Sequence, residues 1–241
     1  MALERLDKIL SGQNIATRSE AKKLALKCRL EVNGKITRRS DIKVDPEKDV
    51  IVVNGVKLVY KKQLYLMMNK PSGVLSASRD RNAATVLDLL PKELRREGMF
   101  PAGRLDKDTT GLLLLTDDGE LGHRMLSPKK HVYKLYSVEC DKLLSEDDVT
   151  RFAQGISSGE DTFLPAAMKI TGDNSALVEI CEGKFHQIKR MFHAVGAEVT
   201  ALKRLRIGGV YLDDSLSEGQ WRELTDEEIR LITDNSIKEL S

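Results

Sequence analysis

The 241-residue sequence predicts an α+β protein built from a small, basic N-terminal domain and a larger second domain. A chain of this length can bury one large core and one small core. Residues 1–62 carry 15 Lys and Arg against 8 Asp and Glu, whereas residues 63–241 carry 24 against 29, so only the N-terminal end is basic. Segments with helical spacing of apolar residues are interspersed with short β-type segments. We therefore predict domains at residues 1–60 and 61–235, followed by a disordered tail at 236–241.

Two short helices and several strands are predicted in the N-terminal domain. Apolar spacing predicts a first helix within Leu3–Leu10, and a capping box at Thr17 begins a second helix. Two Asn-Gly pairs, Asn33-Gly34 and Asn54-Gly55, predict hairpin turns. Val56–Gln63 then follows as the predicted linker. The basic side chains outside the apolar helix face either form a solvated surface or contact a polyanion.

The second domain is predicted to mix strands with helices. The clearest strand signal is the run Leu112–Leu115, which lies between polar turns and is typical of a strand buried on both faces. The other predicted strands are Tyr65–Met68, His131–Val138, Ala167–Thr171 and Ala176–Ile180. The predicted helices are Thr85–Leu90, one from Pro91, Leu121–Leu126, Ser145–Gly155, His186–Val195 and one from Thr225 to Ile232.

Several functional classes are excluded by what the sequence lacks. Its three cysteines are far apart and form no Cys-x-x-Cys pair, so neither a disulfide framework nor a zinc cluster is predicted and a cytoplasmic location is expected. No apolar run approaches the roughly 20 residues that cross a bilayer, and the N-terminus has no apolar signal core, so no membrane contact is expected. The histidines show no metal-binding spacing, and we interpret His186 and His193 as structural.

One polar turn, within Pro101–Gly119, has the pattern of a catalytic loop. Asp106 lies between Arg104 and Lys107 just before the predicted leucine strand, and flanking cations favour the ionised carboxylate, which can attack as a nucleophile or accept a proton. Alternatively, Asp106 only caps a turn. A calcium loop starting at Asp106 is a third interpretation, but the leucine run and the Asp at the last ligand position, Asp117, argue against it.

The same stretch, GRLDKDTTGLLLLTDDG, resembles the catalytic motif of the pseudouridine synthases, in the branch that includes the small-subunit ribosomal RNA enzyme RsuA and its large-subunit relatives. Four further motifs resemble this family and occur in its order: NKPSG from Asn69, KLY from Lys134, EGKFHQIKRMF from Glu182 and RIGGVYL from Arg206. The N-terminal pattern RLDKIL followed by TRSEAKKLALKCRLEVNG resembles the S4 RNA-binding domain. The resemblance covers nearly the whole chain and implies an S4-like domain followed by a catalytic domain on a mixed, largely antiparallel sheet flanked by helices.

The resemblance also implies roles for particular residues. Asp106 would be the catalytic carboxylate, Arg104 would hold the flipped nucleotide or fill its space, and Tyr136 would pack against the target base. A basic residue of the helix after Glu182 would pair with Asp106, and we favour Lys189 over Arg190. The candidates for RNA phosphate contacts in the S4-like domain are Arg5, Lys8, Arg18, Lys22, Lys23 and Lys27.

The predicted function is therefore conversion of one uridine to pseudouridine in small-subunit (16S) ribosomal RNA, by a monomer without metal or cofactor. The expected partner is ribosomal RNA or a small-subunit assembly intermediate. Two alternatives stay open: the same reaction on large-subunit (23S) ribosomal RNA, and a non-catalytic RNA-binding protein. The sequence leaves open whether Asp106 attacks the ribose C1′ or removes the 2′ proton.

Overall fold

The computed structural model describes residues 3–127, 131–234, 236 and 240. The chain folds into two compact units. The first unit comprises Met1–Leu64 and Leu90–Met99, and the second comprises Tyr65–Leu89 and Phe100–Ser241. The predicted domain limits at residues 60/61 and 235/236 stay predictions, and most of the predicted tail at 236–241 lies outside the described residues.

The first unit combines two helices with short antiparallel strands. Its helices are α1 (Leu6–Gly12) and α2 (Arg18–Leu26), and its strands are β1 (Glu4–Arg5), β2 (Leu30–Val32), β3 (Lys35–Ile36), β4 (Lys43–Val44), β5 (Ile51–Val53) and β6 (Val56–Lys57). Thr17 caps α2 in the predicted capping box. The strands form a sheet of order β3-β2-β5-β6 and a separate β1-β4 pair. Val56–Lys57 therefore pairs with β5, so the predicted linker wrongly includes a strand of the sheet.

Apolar side chains of both helices pack on this sheet. The core comprises Leu6, Ile9, Leu10, Ala21, Ala25, Leu30, Val44, Ile51 and Val53. The segment Leu90–Met99 joins the same unit through Arg96, whose guanidinium donates to the carbonyl of Lys61 at 2.9 Å and to Oε1 of Gln13 at 2.9 Å. Within this segment Lys92–Leu94 forms a 3₁₀ turn rather than the predicted α-helix.

A nine-stranded sheet organises the second unit. Its strands are β7 (Tyr65–Lys70), β8 (Phe100–Ala102), β9 (Thr110–Thr116), β10 (Lys134–Cys140), β13 (Ala167–Gly172), β14 (Ser175–Ile180), β15 (Val199–Ile207), β16 (Val210–Tyr211) and β17 (Trp221–Glu223), and a separate hairpin is formed by β11 (Ile156–Ser158) and β12 (Asp161–Phe163). The order is β13-β14-β10-β15-β9-β7-β17, with β8 on β9 and β16 on β15. Only β9 and β15 pair in parallel among these described strands. The prediction of a mixed, largely antiparallel sheet is confirmed.

The helices of the second unit flank this sheet and are short. They are α3 (Gly119–Leu126), α4 (Glu146–Gln154), α5 (Gln187–Ala194) and α6 (Asp226–Leu231), and Val86–Leu89 is a 3₁₀ turn where an α-helix was predicted. The inward face of α5 is formed by Ile188, Met191 and Phe192, which are buried. In the part of the chain that the structure describes, no helix has the length and apolar character to cross a membrane.

The leucine run forms the middle of the central strand β9, as predicted. Leu112 to Leu115 are all buried, so both faces of β9 are covered. Gly111 lies where β9 first meets β15, with φ +97°, and a Cβ there would lie 2.8 Å from the backbone nitrogen of Arg204. Only glycine fits this close approach without strain. The strand is thus a rigid base directly after the loop that carries Asp106.

Candidate active site

The loop carrying Asp106 connects β8 to β9, and a buried lysine holds its second half. Lys70, at the end of β7, is fully buried, and its Nζ donates to the carbonyls of Pro71 at 3.0 Å, Lys107 at 3.1 Å and Thr109 at 2.9 Å. Burial lowers the pKa of Lys70 to about 8, although the nearby carboxylates of Asp108 and Asp106 act to raise it. At neutral pH an ammonium with three N–H donors therefore matches three carbonyls, two of which, those of Lys107 and Thr109, belong to the loop.

Two further side chains hold the first half of this loop. Arg204 of β15 is buried, and its guanidinium donates to the carbonyl of Gly103 at 2.6 Å and to that of Leu112 at 2.8 Å. The Ser76 hydroxyl donates to the carbonyl of Leu105 at 2.8 Å and accepts from the Leu105 N–H at 3.1 Å. Together with Lys70, these bonds fix the backbone on both sides of Asp106, so its carboxylate is presented from a rigid loop.

The Asp106 carboxylate faces the start of α5. Lys189 Nζ lies 3.3 Å from Asp106 Oδ2 and 2.6 Å from Asp108 Oδ1, so one ammonium bridges two carboxylates. Burial acts to lower the pKa of Lys189, but the hydrogen bond that its ammonium donates to Asp108 and the charges of Asp106 and Asp108 outweigh this effect and raise that pKa. The same hydrogen bond lowers the pKa of Asp108. His186 Nε2 lies 3.6 Å from Asp106 Oδ1, on the other oxygen.

Asp106, His186 and Lys189 line an open cleft with about 430 Å³ of empty space, open solvent included. Tyr136 of β10 forms part of its wall and is 7% exposed, and the Arg204 guanidinium lies 6.0 Å from the centre of its ring. Arg204 Nη1 is also 3.5 Å from the Tyr136 hydroxyl. Arg104 is exposed at the mouth of the cleft. The cleft thus combines an acidic side chain, an aromatic side chain and cations, which suits a flat, anionic ligand such as a nucleotide.

Arg190 is placed away from this cleft. Its Nη1 lies 2.7 Å from Asp161 Oδ2, its Nη2 donates to the carbonyl of Ser158 at 2.7 Å, and its guanidinium lies 4.9 Å from the centre of the Phe163 ring. Arg190 therefore anchors the β11–β12 hairpin to α5. Of the two candidate cations in this helix, Lys189 is the one within ion-pair distance of Asp106.

The six basic residues predicted to contact RNA phosphates lie in the first unit and are exposed. They are Arg5, Lys8, Arg18, Lys22, Lys23 and Lys27. Arg5 pairs with Asp7 at 2.7 Å and Lys8 with Glu4 at 3.4 Å. The other four belong to α2 or to its C-cap, beside the buried face of Ala21 and Ala25. Their phosphate role stays a prediction.

The calcium-loop interpretation does not fit this geometry. Strand β9 separates Asp106 from Asp117, whereas a calcium loop must curl its first and last ligands around one ion. In addition, the Lys189 ammonium occupies the space between Asp106 and Asp108. Among the residues that the structure describes, no group of three or more His, Cys, Asp and Glu side chains is arranged to hold a metal ion.

Sequence reasoning missed several residues of this site. His186 was interpreted as structural, but it is half exposed, lines the cleft and has a left-handed backbone with φ +49°. A non-glycine residue with positive φ is uncommon and sequence spacing does not reveal it. Lys70 and Arg204 were missed because charged side chains are normally assigned to the surface. Lys70 closely follows the apolar segment Leu66–Met68, whereas the nearby charged residues Lys203 and Arg206 leave Arg204 without such a signal.

Comparisons with known proteins identify relatives along nearly the whole chain. A family model described as RNA pseudouridylate synthase matches residues 64–194. An uncharacterized RNA pseudouridine synthase of Bacillus subtilis, YtzG, is 45% identical over 236 residues, covering 95% of this chain and 98% of the relative. The ribosomal small subunit pseudouridine synthase A of Escherichia coli is 38% identical over 227 residues, covering 93% and 98%. A crystal structure of a pseudouridylate synthase is 37% identical with a TM-score of 0.68, covering 95% and 99%.

Proposed function

Because this chain belongs to the RNA pseudouridylate synthase family, we propose that it converts a specific uridine of small-subunit (16S) ribosomal RNA to pseudouridine, with Asp106 as the catalytic carboxylate. The small-subunit assignment is supported by the 38% identity to the Escherichia coli ribosomal small subunit pseudouridine synthase A over 93% of the chain. The same reaction on large-subunit (23S) ribosomal RNA is the second candidate, because the reaction chemistry is independent of the RNA that supplies the uridine.

The observation that carries the catalytic assignment is the position of the Asp106 carboxylate in the cleft. It lies on a fixed loop, 3.3 Å from the Lys189 ammonium, in the same cleft as Tyr136. Isomerisation breaks the N1–C1′ bond, turns the uracil and forms a C5–C1′ bond, so no atom enters or leaves. One carboxylate can start this reaction, either by attacking C1′ or by removing the 2′ proton. Neither route needs a metal or cofactor.

The other predicted residues take supporting roles in this proposal. The target nucleotide must leave the RNA stack to reach Asp106, and the Tyr136 ring offers an aromatic face for its base. Arg104, at the cleft mouth, contacts the flipped nucleotide or fills the space it leaves. Lys189 forms an ion pair with Asp106 and holds its side chain in place. Arg190 acts indirectly, by anchoring the β11–β12 hairpin.

The first unit provides a second RNA contact in this proposal. Its exposed basic side chains on α2 suit phosphate binding, and tethering it to the catalytic unit raises the local concentration of RNA at the cleft. In this proposal the first unit is an S4-like RNA-binding domain. We further propose that the protein acts as a monomer in the cytoplasm, on ribosomal RNA or on a small-subunit assembly intermediate.

Pseudouridine mapping tests this function. Carbodiimide adducts and primer extension locate pseudouridines in ribosomal RNA from cells lacking the protein and from cells complemented with wild type, Asp106→Asn or Asp147→Asn. Asp147 is an exposed carboxylate in the first turn of α4, so its substitution controls for the same chemical change outside the cleft. Asp106→Asn should bind RNA nearly normally, because the amide keeps the size of the side chain.

Loss of one small-subunit pseudouridine, restored by wild type and Asp147→Asn but not by Asp106→Asn, is the expected result. Loss of a large-subunit site alone would move the substrate to 23S ribosomal RNA. Full restoration by Asp106→Asn would contradict the catalytic assignment. If no site is lost in any ribosomal RNA, the protein acts as an RNA-binding protein without this reaction in the cell.

A further inference from the structure

An exposed aromatic side chain lies next to the cleft, on the outer side of His186. The Phe185 ring is 76% exposed, and it stacks on the His186 imidazole with 3.8 Å between ring centres and 17° between ring planes. His186 lines the cleft with Asp106, whereas Phe185 lies outside the cleft lining. The two rings therefore form a short stack that leads from the catalytic cleft to solvent.

The backbone around this stack is held so that the Phe185 ring stays exposed. Gln187 Nε2 donates to Glu182 Oε1 at 2.7 Å, and its Oε1 accepts from the Lys184 N–H at 3.0 Å. Lys184 Nζ donates to the carbonyl of Thr162 at 2.7 Å. These bonds close the turn from Glu182 to Gln187 on both sides of Phe185. Burying a Phe side chain is worth roughly 1.5–3 kcal/mol, so a ligand that covers this exposed ring would gain affinity from the contact.

The charges around the stack indicate the chemistry of this ligand. Lys184, Arg104 and Lys189 all line the same cleft as His186, together with Asp106. Lys189 pairs with Asp106 and Asp108, and Lys184 lies 3.8 Å from Glu182, whereas Arg104 is exposed. An aromatic face beside cations is the arrangement that binds single-stranded nucleic acid, because any base can stack on the ring while a cation contacts phosphate. A protein partner would need a wider apolar surface than one ring.

We propose that the Phe185–His186 stack binds the base of an unpaired nucleotide next to the target uridine. This inference rests on the proposed function of the cleft. While Tyr136 accompanies the target base inside the cleft, the outer face of Phe185 holds its neighbour. The stack therefore selects RNA in which the neighbouring nucleotide is unpaired, and it does so without reading the identity of that base, since every base has an aromatic face.

A fluorescence titration tests this assignment. The probe is a short single-stranded oligouridylate with one central 2-aminopurine, a base whose fluorescence is quenched when it stacks on an aromatic ring. A second oligouridylate carries a fluorescent end label and an abasic residue at the same position. The full chain carries Asp106→Asn to prevent turnover, so the binding result does not depend on whether Asp106 is the catalytic residue. It is compared with chains that additionally carry Phe185→Ala, Phe185→Trp or Leu143→Ala.

Leu143 is the matched control, because its apolar side chain is 72% exposed and it does not line the cleft. Phe185→Ala should weaken binding of the 2-aminopurine probe by about 5- to 150-fold and abolish quenching, the range expected from the loss of one base–aromatic stack. The abasic probe should bind Phe185→Ala and the parent chain almost equally. Phe185→Trp should bind and quench like the parent, and Leu143→Ala should change neither quantity.

Three results would overturn the proposal. The parent chain could bind the 2-aminopurine probe without quenching. Phe185→Ala could bind the 2-aminopurine probe and quench its fluorescence like the parent. If this variant then lost binding only to intact ribosomal particles, the ring would be a protein contact. Finally, Phe185→Ala could weaken the binding of both probes by the same factor, which would mean that the ring stabilises the loop and does not bind a base. Circular dichroism melting of each variant separates this last case from general unfolding.

Discussion

Replacing Lys70 by Met should reduce catalysis far more than it reduces stability. The Lys70 ammonium is fully buried and donates to three carbonyls of the segment around the Asp106 loop. Methionine has a similar length but no donor, so it removes all three bonds without opening a large cavity. The effect on stability is the balance between the loss of these bonds and the removal of a buried charge.

The structure allows both sides of this balance to be worked out. Burial shifts the pKa of Lys70 from 10.5 to about 8, and a shift of this size corresponds to a cost of about 3 kcal/mol at neutral pH. The carbonyl of Lys107 keeps a second donor, the Gly73 N–H at 2.8 Å. The carbonyls of Pro71 and Thr109 each lose a donor, which costs about 1–3 kcal/mol apiece. The net change in the free energy of unfolding should therefore stay within about 3 kcal/mol.

Catalysis does not benefit from this compensation. Without Lys70 the second half of the loop loses its anchor, and a displacement of Asp106 by about 1 Å costs on the order of 100-fold in kcat. The measurement is single-turnover pseudouridine formation, together with urea denaturation of the same samples. Lys134→Met is the comparison, because Lys134 is also buried with its pKa lowered to about 8, but its Nζ donates to the carbonyl of Val132 outside the loop. Its effect on kcat should be much smaller.

The pH dependence provides an independent check on Lys70. Its folded-state pKa lies below the unfolded value of 10.5, so the cost of burying the ammonium is complete below pH 8 and disappears as the pH rises to 10.5. The stability of wild type relative to Lys70→Met should therefore increase across this window. Activity should change in the opposite direction, because a neutral amine has only two N–H donors for three carbonyls. A Lys70→Met protein with full kcat and the wild-type alkaline profile would refute this reasoning.

Two further predictions concern charges at the cleft and in the first unit. In Asp108→Asn, Asp106 is the one of these two carboxylates that still pairs with Lys189, so more of the Lys189 charge acts on Asp106. We expect kcat to fall about fivefold while RNA affinity is unchanged. Asp108→Glu should restore kcat, and equal kcat in wild type and Asp108→Asn would contradict the role of the bridge. Replacing Lys22 and Lys23 by Gln should lower the slope of log affinity against log salt by about 0.7 for each phosphate contact on single-stranded RNA, without changing kcat. Lys169→Gln, on the exposed face of β13, should leave the slope unchanged, and an unchanged slope in the double variant would exclude these two phosphate contacts.

Local signals in the sequence predicted many elements of the fold correctly. The capping boxes at Thr17, Ser145 and Thr225 all begin helices, because they satisfy backbone N–H groups with side chains a few residues away. Both Asn-Gly pairs adopt positive φ at both residues, as a tight hairpin requires. These features depend only on neighbours along the chain, so one sequence is enough to reveal them.

Features that depend on distant contacts could not be predicted in this way. Strand β15 contains Lys203, Arg204 and Arg206, and its charges hide the apolar alternation of a buried strand. Lys189 and Arg190 are adjacent in α5, and adjacent helix residues point about 100° apart, so only the packing of α5 decides which one meets Asp106. The stack of Phe185 on His186 likewise depends on a left-handed backbone at His186.

The buried cations of the second unit connect these unpredicted features to the chemistry of the site. Lys70, Lys134, Arg204 and Arg206 are all at most 6% exposed, and Arg206 pairs with the buried carboxylate of Glu179. Burying a charge is costly, so a core concerned only with stability would replace these side chains by apolar ones. Here Lys70 and Arg204 donate to the loop on either side of Asp106, and Arg204 also lies beside Tyr136. Their charge is screened weakly inside the protein, so it adds to the positive potential around the loop that carries Asp106. The cost in stability is therefore best explained by the fixed position and the field that these cations give to the loop that carries Asp106.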